Sequence, residues 1–155
     1  VNVTPIDPRS DIAIATLLPA ARRAARTLLS TANDGRLGPG IVVKVICGTR
    51  TYAEQTALYA QGRTTPGPIV TDAPAGYSNH NFGIAFDVGI FNGGVYLDDS
   101  PLYEKVGALG RAQGLEWGGD WTRFTDEPHF QLPWSGSLAE ARALVAAGHW
   151  EERWA

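Results

Sequence analysis

Three histidines occur in the chain, at positions 80, 129 and 149, and two of them have unusual neighbours. His80 lies in Ser78-Asn79-His80-Asn81-Phe82-Gly83-Ile84-Ala85-Phe86-Asp87, at the end of a stretch rich in glycine and proline. His129 follows Asp126-Glu127-Pro128 and precedes Phe130. Asp87 falls in the apolar run Ile84-Ala85-Phe86-Asp87-Val88, where an unpaired carboxylate is costly to bury. A metal ion or another cation removes that cost. Two imidazoles and one carboxylate also meet the needs of a catalytic zinc, which takes three protein ligands and keeps one position open. Such an ion lowers the pKa of water to about 7 and polarises a carbonyl as a Lewis acid. A nearby carboxylate can then carry the proton from water to a leaving amine. Asp126, Glu127 and Glu116 are all candidates for that base. His149, beside Trp150, reads as structural or exposed.

The elements that must position these residues follow from periodicity. Residues 1–10 read as an irregular lead-in, with Ser10 or Asp11 able to cap a helix. Leu17, Leu18, Ala21, Ala24, Ala25, Leu28 and Leu29 recur at helical spacing to about Thr31, with Arg22, Arg23 and Arg26 on a solvated face. Residues 41–47 are rich in β-branched side chains and predict a strand, with Lys44 marking its less buried side. A helix is expected over 51–61, ended by Gly62. Residues 62–77 form a long loop of the kind that often carries function. A second strand spans 84–91, and Asn92-Gly93-Gly94 predicts a hairpin into Val95-Tyr96-Leu97. Asp99 or Ser100 can cap a helix with Pro101 at its first position, running to about Gln113. Short strands are expected at 115–117 and 129–132, and Ser137 caps a last helix over 138–147. Intermixed helices and short, partly hairpin-linked strands predict an α+β fold with a small, mainly antiparallel sheet flanked by helices. No glycine-rich phosphate loop follows a strand, which argues against a nucleotide site.

The 155 residues fit a single domain, 1–155, large enough to bury about 70% of the surface exposed by its unfolded chain. A net charge of −3 argues against a nucleic-acid partner or an anionic membrane surface. No apolar stretch is long enough for a membrane span, and no basic segment followed by an apolar run opens the chain, so neither membrane insertion nor a signal peptide is expected. The single cysteine, Cys47, cannot form an internal disulfide and reads as a buried structural thiol.

Ser78-x-His80-x-x-Gly83-x-Ala85-x-Asp87 resembles the S-x-H-x-x-G-x-A-x-D motif of the VanY/VanX-like zinc peptidases (peptidase M15). Asp126-x-x-His129 resembles the second motif of that family, an acidic residue three before the last ligand. The likeness is greatest to L-alanyl-D-glutamate peptidases of phage endolysins and related bacterial wall hydrolases. It extends through Gly48-Thr49-Arg50-Thr51-Tyr52-Ala53-Glu54-Gln55, Leu58-Tyr59-Ala60-Gln61-Gly62-Arg63 and Trp117-Gly118-Gly119-Asp120-Trp121, roughly residues 40–133.

The resemblance implies a Hedgehog/D-Ala-D-Ala-peptidase-like fold with zinc held by His80, Asp87 and His129. It implies Asp126 as general base, where many relatives carry Glu, and Arg50 as the group that binds the scissile carbonyl and its developing oxyanion. Ser78 and Gln55 would sit near the site and bind substrate. Asp120 would support a zinc histidine or hold its own turn; Trp117 and Trp121 would line the groove or fill the core. Asp98-Asp99 reads as a helix cap sooner than a cation site. The implied partner is bacterial peptidoglycan, cut at the L-Ala-D-Glu bond by a monomer. The cell wall would be reached from a host cytoplasm, for a phage endolysin, or by export. The alternatives are a D,D- or L,D-carboxypeptidase on the same scaffold, and a non-catalytic zinc-stabilised binding module.

Overall fold

The computed structural model describes residues 6–155 of the chain. The first half of the expected lead-in therefore lies outside the described residues. From Pro8 the chain is already helical. Asp7 caps α1 (Pro8–Ala15) by accepting from the Ser10 amide at 2.9 Å, and Pro8 supplies the fixed φ of the first turn. Ser10 is thus not the cap. It is fully buried, donates to Asp7 Oδ2 and accepts from the Val45 amide, which ties α1 to the sheet. The single long helix expected here is two. Leu18, preceding Pro19, is extended (φ −64°, ψ 154°), and α2 (Pro19–Ala32) begins afresh.

The sheet holds β1 (Ile41–Cys47), β2 (Ala85–Asn92), β3 (Val95–Leu97), β4 (Glu116–Trp117) and β5 (His129–Gln131). All its pairings are antiparallel, in the order β1-β2-β5-β4, with β3 paired to β2 through the expected hairpin. Strand alternation separates two faces. Val43, Val45, Phe86, Val88, Ile90 and Phe130 point into a core closed by Ile14, Leu17, Ala21, Ala25 and Leu28. Phe86 and Phe130 are cross-strand partners, both fully buried, with rings stacked 5.9 Å apart. Burying each is worth about 1.5–3 kcal/mol. The residues beside them in sequence, Asp87 and His129, therefore emerge on the other face.

Three further helices complete the fold. Thr51 and Glu54 form a reciprocal capping box at the start of α3 (Tyr52–Ala60). In α4 (Leu102–Ala112), Pro101 stands at the N-cap, one place earlier than expected, and Ser100 Oγ accepts from the Leu102 amide. Ser137 caps α5 (Leu138–Ala146) as expected. Helix α5 packs a second apolar cluster of Phe82, Ile84, Ala141 and Trp150. Trp150 Nε1 donates to the Phe82 carbonyl at 2.6 Å, directly behind the His80 segment. Among the described residues, no helix is long and apolar enough to cross a membrane.

Candidate metal centre and active site

Each fixed position of the ten-residue motif has a physical task. The Ser78 hydroxyl accepts from the His80 amide and opens a 3₁₀ turn, Asn79–Phe82, whose Asn81 side chain bonds back to the Ser78 amide. Gly83 ends the turn at φ 76°, a conformation that favours glycine. A Cβ there would also meet Leu18 Cγ at 2.8 Å. Ala85 is fully buried at the head of β2, and Asp87 follows two residues on, on the same face.

Asp87 is the cross-strand partner of both Cys47 and His129. The sheet register thus brings together residues 42 positions apart, and the 3₁₀ turn swings His80 over them. Asp87 Oδ1 lies 3.2 Å from His80 Nε2 and 3.3 Å from His129 Nδ1. The two imidazoles meet edge to face, 5.0 Å apart. Both histidines are almost wholly buried.

The remaining ring nitrogens are already engaged. His80 Nδ1 sits 3.0 Å from the Gly48 carbonyl and His129 Nε2 sits 2.8 Å from Gln131 Oε1. Asp87 Oδ1 is a buried oxygen without a well-formed hydrogen bond, although two ring nitrogens point towards it. A tetrahedral ion with bonds of about 2.0–2.1 Å holds its ligands about 3.3–3.4 Å apart. The orphaned oxygen, its spacing to each ring nitrogen and the engaged outer nitrogens fit a divalent metal at Asp87, where two donor groups meet: Cys47, His80 and Asp87 on one side, and Asp87, Asp126 and His129 on the other. Cys47 Sγ is 3.9 Å from His80 Nδ1, on the ring edge already given to Gly48.

Electrostatics bind this cluster tightly. Burial disfavours a charged His80, but hydrogen bonding to Asp87 and Cys47 and the Asp87 charge outweigh it and lift its pKa to about 10. Burial would raise the Asp87 carboxyl; the ring nitrogens of His129 and His80 beside it, and their positive charge, instead hold it well below the ordinary carboxylate range. Asp126 is half-buried, with Oδ2 3.9 Å from His129 Nδ1. Burial, then the negative charge of Asp87, push its pKa up. Gly118 permits this placement: the Asp126 amide donates to the Gly118 carbonyl, and a Cβ on Gly118 would meet the Asp126 carbonyl oxygen at 2.3 Å. Of the two adjacent acids, Asp126 is the one whose carboxylate clusters with Asp87 and His129. Glu127 contributes its carbonyl, which accepts from Trp117 Nε1.

Arg50 is anchored at its backbone, where its amide donates to the His80 carbonyl and its carbonyl accepts from Asn81 Nδ2. Its Nη1 donates to Gln55 Oε1 at 3.0 Å. Gln55 is fully buried, and its amide nitrogen donates to the Ala73 carbonyl. It therefore reaches the site through Arg50 and clamps the 62–77 loop. Asp120 pairs with Arg111 of α4 at 2.9 Å. The two tryptophans divide the roles offered to them: Trp117 is core, and Trp121 lies against the His129 ring at 4.8 Å. His149 is exposed and paired with Glu152. Sequence reasoning missed Gln131 as a partner of His129; its position two residues along the same strand was the available signal.

The fold is a small antiparallel sheet flanked by helices, with a His/Asp/His cluster on one face of its two inner strands. The crystal structure of the Serratia marcescens L-Ala D-Glu endopeptidase ChiX shares this fold, with a TM-score of 0.61 over 85% of this chain and 92% of that chain at 24% identity. A family model described as D-alanyl-D-alanine carboxypeptidase matches residues 71–132. The peptidoglycan L-alanyl-D-glutamate endopeptidase CwlK of Bacillus subtilis is 39% identical over 103 residues, 60% of this chain and 62% of CwlK. The L-alanyl-D-glutamate peptidase of Listeria phage A118 is 31% identical over 120 residues, 74% of this chain and 37% of the phage protein. The chain thus spans less than two thirds of either relative. It is similar to the D-alanyl-D-alanine carboxypeptidase family model over residues 71–132 and to the two L-alanyl-D-glutamate peptidases over a longer stretch.

Proposed function

We propose that this chain is a zinc-dependent peptidase of bacterial peptidoglycan that hydrolyses the L-Ala-D-Glu bond of the stem peptide. The observation that carries this reading is the convergence of His80 Nε2, Asp87 Oδ1 and His129 Nδ1, with the Asp126 carboxylate beside them. The choice of bond rests on the two relatives named for L-alanyl-D-glutamate cleavage.

His80, Asp87 and His129 hold the zinc. When bound, zinc acts as a Lewis acid on the scissile carbonyl and makes water a nucleophile near neutral pH. Asp126 takes the proton of the attacking water on its carboxylate and gives it to the nitrogen of the leaving D-Glu. Its raised pKa makes it the better base for taking the proton of water. Arg50 donates to the carbonyl oxygen as negative charge develops there. Gln55 holds the guanidinium in place, and Ser78 orients His80 through its backbone. The proposed partner is bacterial peptidoglycan, met by a monomer at the cell wall.

The competing reading, a D,D- or L,D-carboxypeptidase, is favoured by the description of the matching family model. Digestion of purified peptidoglycan followed by mass analysis separates the two. Endopeptidase action releases fragments with a free N-terminal D-Glu, whereas a carboxypeptidase releases single terminal D-alanine. Release of D-alanine alone refutes the L-Ala-D-Glu assignment. Failure to cleave at all, with zinc bound, favours the binding-module reading.

A further inference from the structure

His129 is held by a closed ring of four side chains, and the ring has a direction. His129 and Gln131 are two apart on β5, so they leave the same face of the sheet. Glu116 is the cross-strand partner of Gln131 on β4. Trp121, on the turn after β4, returns to lie against the His129 imidazole. Trp121 Nε1 donates to Glu116 Oε1 at 3.0 Å, Gln131 Nε2 donates to Glu116 Oε2 at 3.3 Å, and His129 Nε2 lies 2.8 Å from Gln131 Oε1.

At neutral pH a carboxylate has no proton to give, so both oxygens of Glu116 accept. The amide nitrogen of Gln131 must therefore face Glu116, and its oxygen must face His129. An amide oxygen only accepts, so His129 Nε2 must carry a proton. A neutral imidazole carries one proton, which leaves the lone pair on Nδ1, the nitrogen 3.3 Å from Asp87 Oδ1. His80 solves the same problem with a backbone carbonyl, Gly48 O, which no substitution can turn around. His129 relies on side chains instead.

We infer that Glu116 is a positioning residue: acting through Gln131, and steadied by Trp121, it fixes His129 as the Nε2–H tautomer and so reserves Nδ1 for the metal. The inference rests on the ligand set proposed above, but not on the substrate or on turnover.

The test uses zinc affinity, measured by chelator competition, and long-range proton–nitrogen NMR of the zinc-loaded protein. Glu116→Gln keeps the shape but no longer dictates which way the Gln131 amide points. The expected result is a zinc affinity about 10–100-fold weaker, with loss of the protected His129 Nε2–H signal that the unsubstituted protein shows. Trp121→Phe keeps the ring against His129 but removes one donor, and a smaller loss in the same direction is expected. If Glu116→Gln does not fold, Trp121→Phe and the spectrum of the unsubstituted protein carry the test. A zinc-loaded protein with His129 protonated on Nδ1 overturns the inference. So does Glu116→Gln with unchanged affinity and an unchanged spectrum. Neither readout involves wall cleavage, so an inactive protein that shows this tautomer refutes the peptidase reading and leaves the relay standing.

Discussion

Asp87 and His129 face each other across the β2–β5 pair, with Oδ1 3.3 Å from Nδ1, and that register is what builds the site. Phe86 and Phe130, one residue along, lock it from the opposite face. A slip of one residue on either strand would put the carboxylate in the core and a phenyl ring in the site.

The role of Asp126 is separable from metal binding. Asp126→Ala is expected to lower the rate of wall cleavage by about 10²–10⁴-fold while zinc binding stays within a few-fold. Glu127→Ala should keep most of the activity, because that side chain stands outside the cluster. Turbidity loss of cell walls and chelator competition check the two halves. Full activity in Asp126→Ala removes it as the base.

Arg50 and Gln55 should behave as one unit. Arg50→Ala is expected to cost about 10²–10³-fold in kcat. Gln55→Leu leaves the part-buried Ala73 carbonyl without its partner, which should cost about 1 kcal/mol of stability, and it frees the guanidinium. Because each acts through the other, their effects on kcat should fall short of additive in a double-mutant cycle. Additive losses would separate them.

Stability of the metal-free protein should depend on pH in a defined way. The pKa of His80 is lifted from 6.5 to about 10, so its contribution is complete below 6.5 and fades as pH rises towards 10. That of Asp87 is depressed from 3.8, so its contribution is present above 3.8 and fades as pH falls below it. The melting temperature with chelator present should therefore peak between about pH 4 and 6.5. Zinc requires His80 to lose its proton, so the rise in melting temperature on adding zinc should grow as pH rises from 6.5 towards about 10. Thermal scans with and without chelator measure both trends. A zinc effect that shrinks with pH contradicts the assignment of His80 as a ligand.

Gly83 sits at φ 76° against Leu18, so Gly83→Ala combines strain with a close contact. A loss of about 1–3 kcal/mol is expected in urea unfolding. An unchanged midpoint would mean that the 3₁₀ turn relaxes freely.

Much of this arrangement was legible in the sequence because the motif carries its own local geometry. Ser78, His80, Gly83 and Asp87 are a cap, a ligand, a turn end and a strand residue, all within ten positions. The strands and the hairpin at Asn92-Gly93-Gly94 followed from β-branched runs and turn chemistry. The break at Thr16–Leu18 was hidden because the apolar spacing of α1 and α2 runs on through it; Pro19 was the signal, acting through the backbone of Leu18. The Glu116–Gln131–His129 relay was hidden for another reason. Its members are 13 and 15 positions apart, and only the β4–β5 register makes them neighbours. Asp120, open in the sequence to either a zinc histidine or its own turn, pairs instead with Arg111 through its carboxylate.

The most direct test is anomalous diffraction at the zinc edge from crystals grown with zinc. The account predicts one strong peak per chain, bonded to His80 Nε2, Asp87 Oδ1 and His129 Nδ1, with the fourth position open to solvent beside Asp126. A peak elsewhere, or one closed off by Cys47 Sγ as a fourth protein ligand, would contradict it.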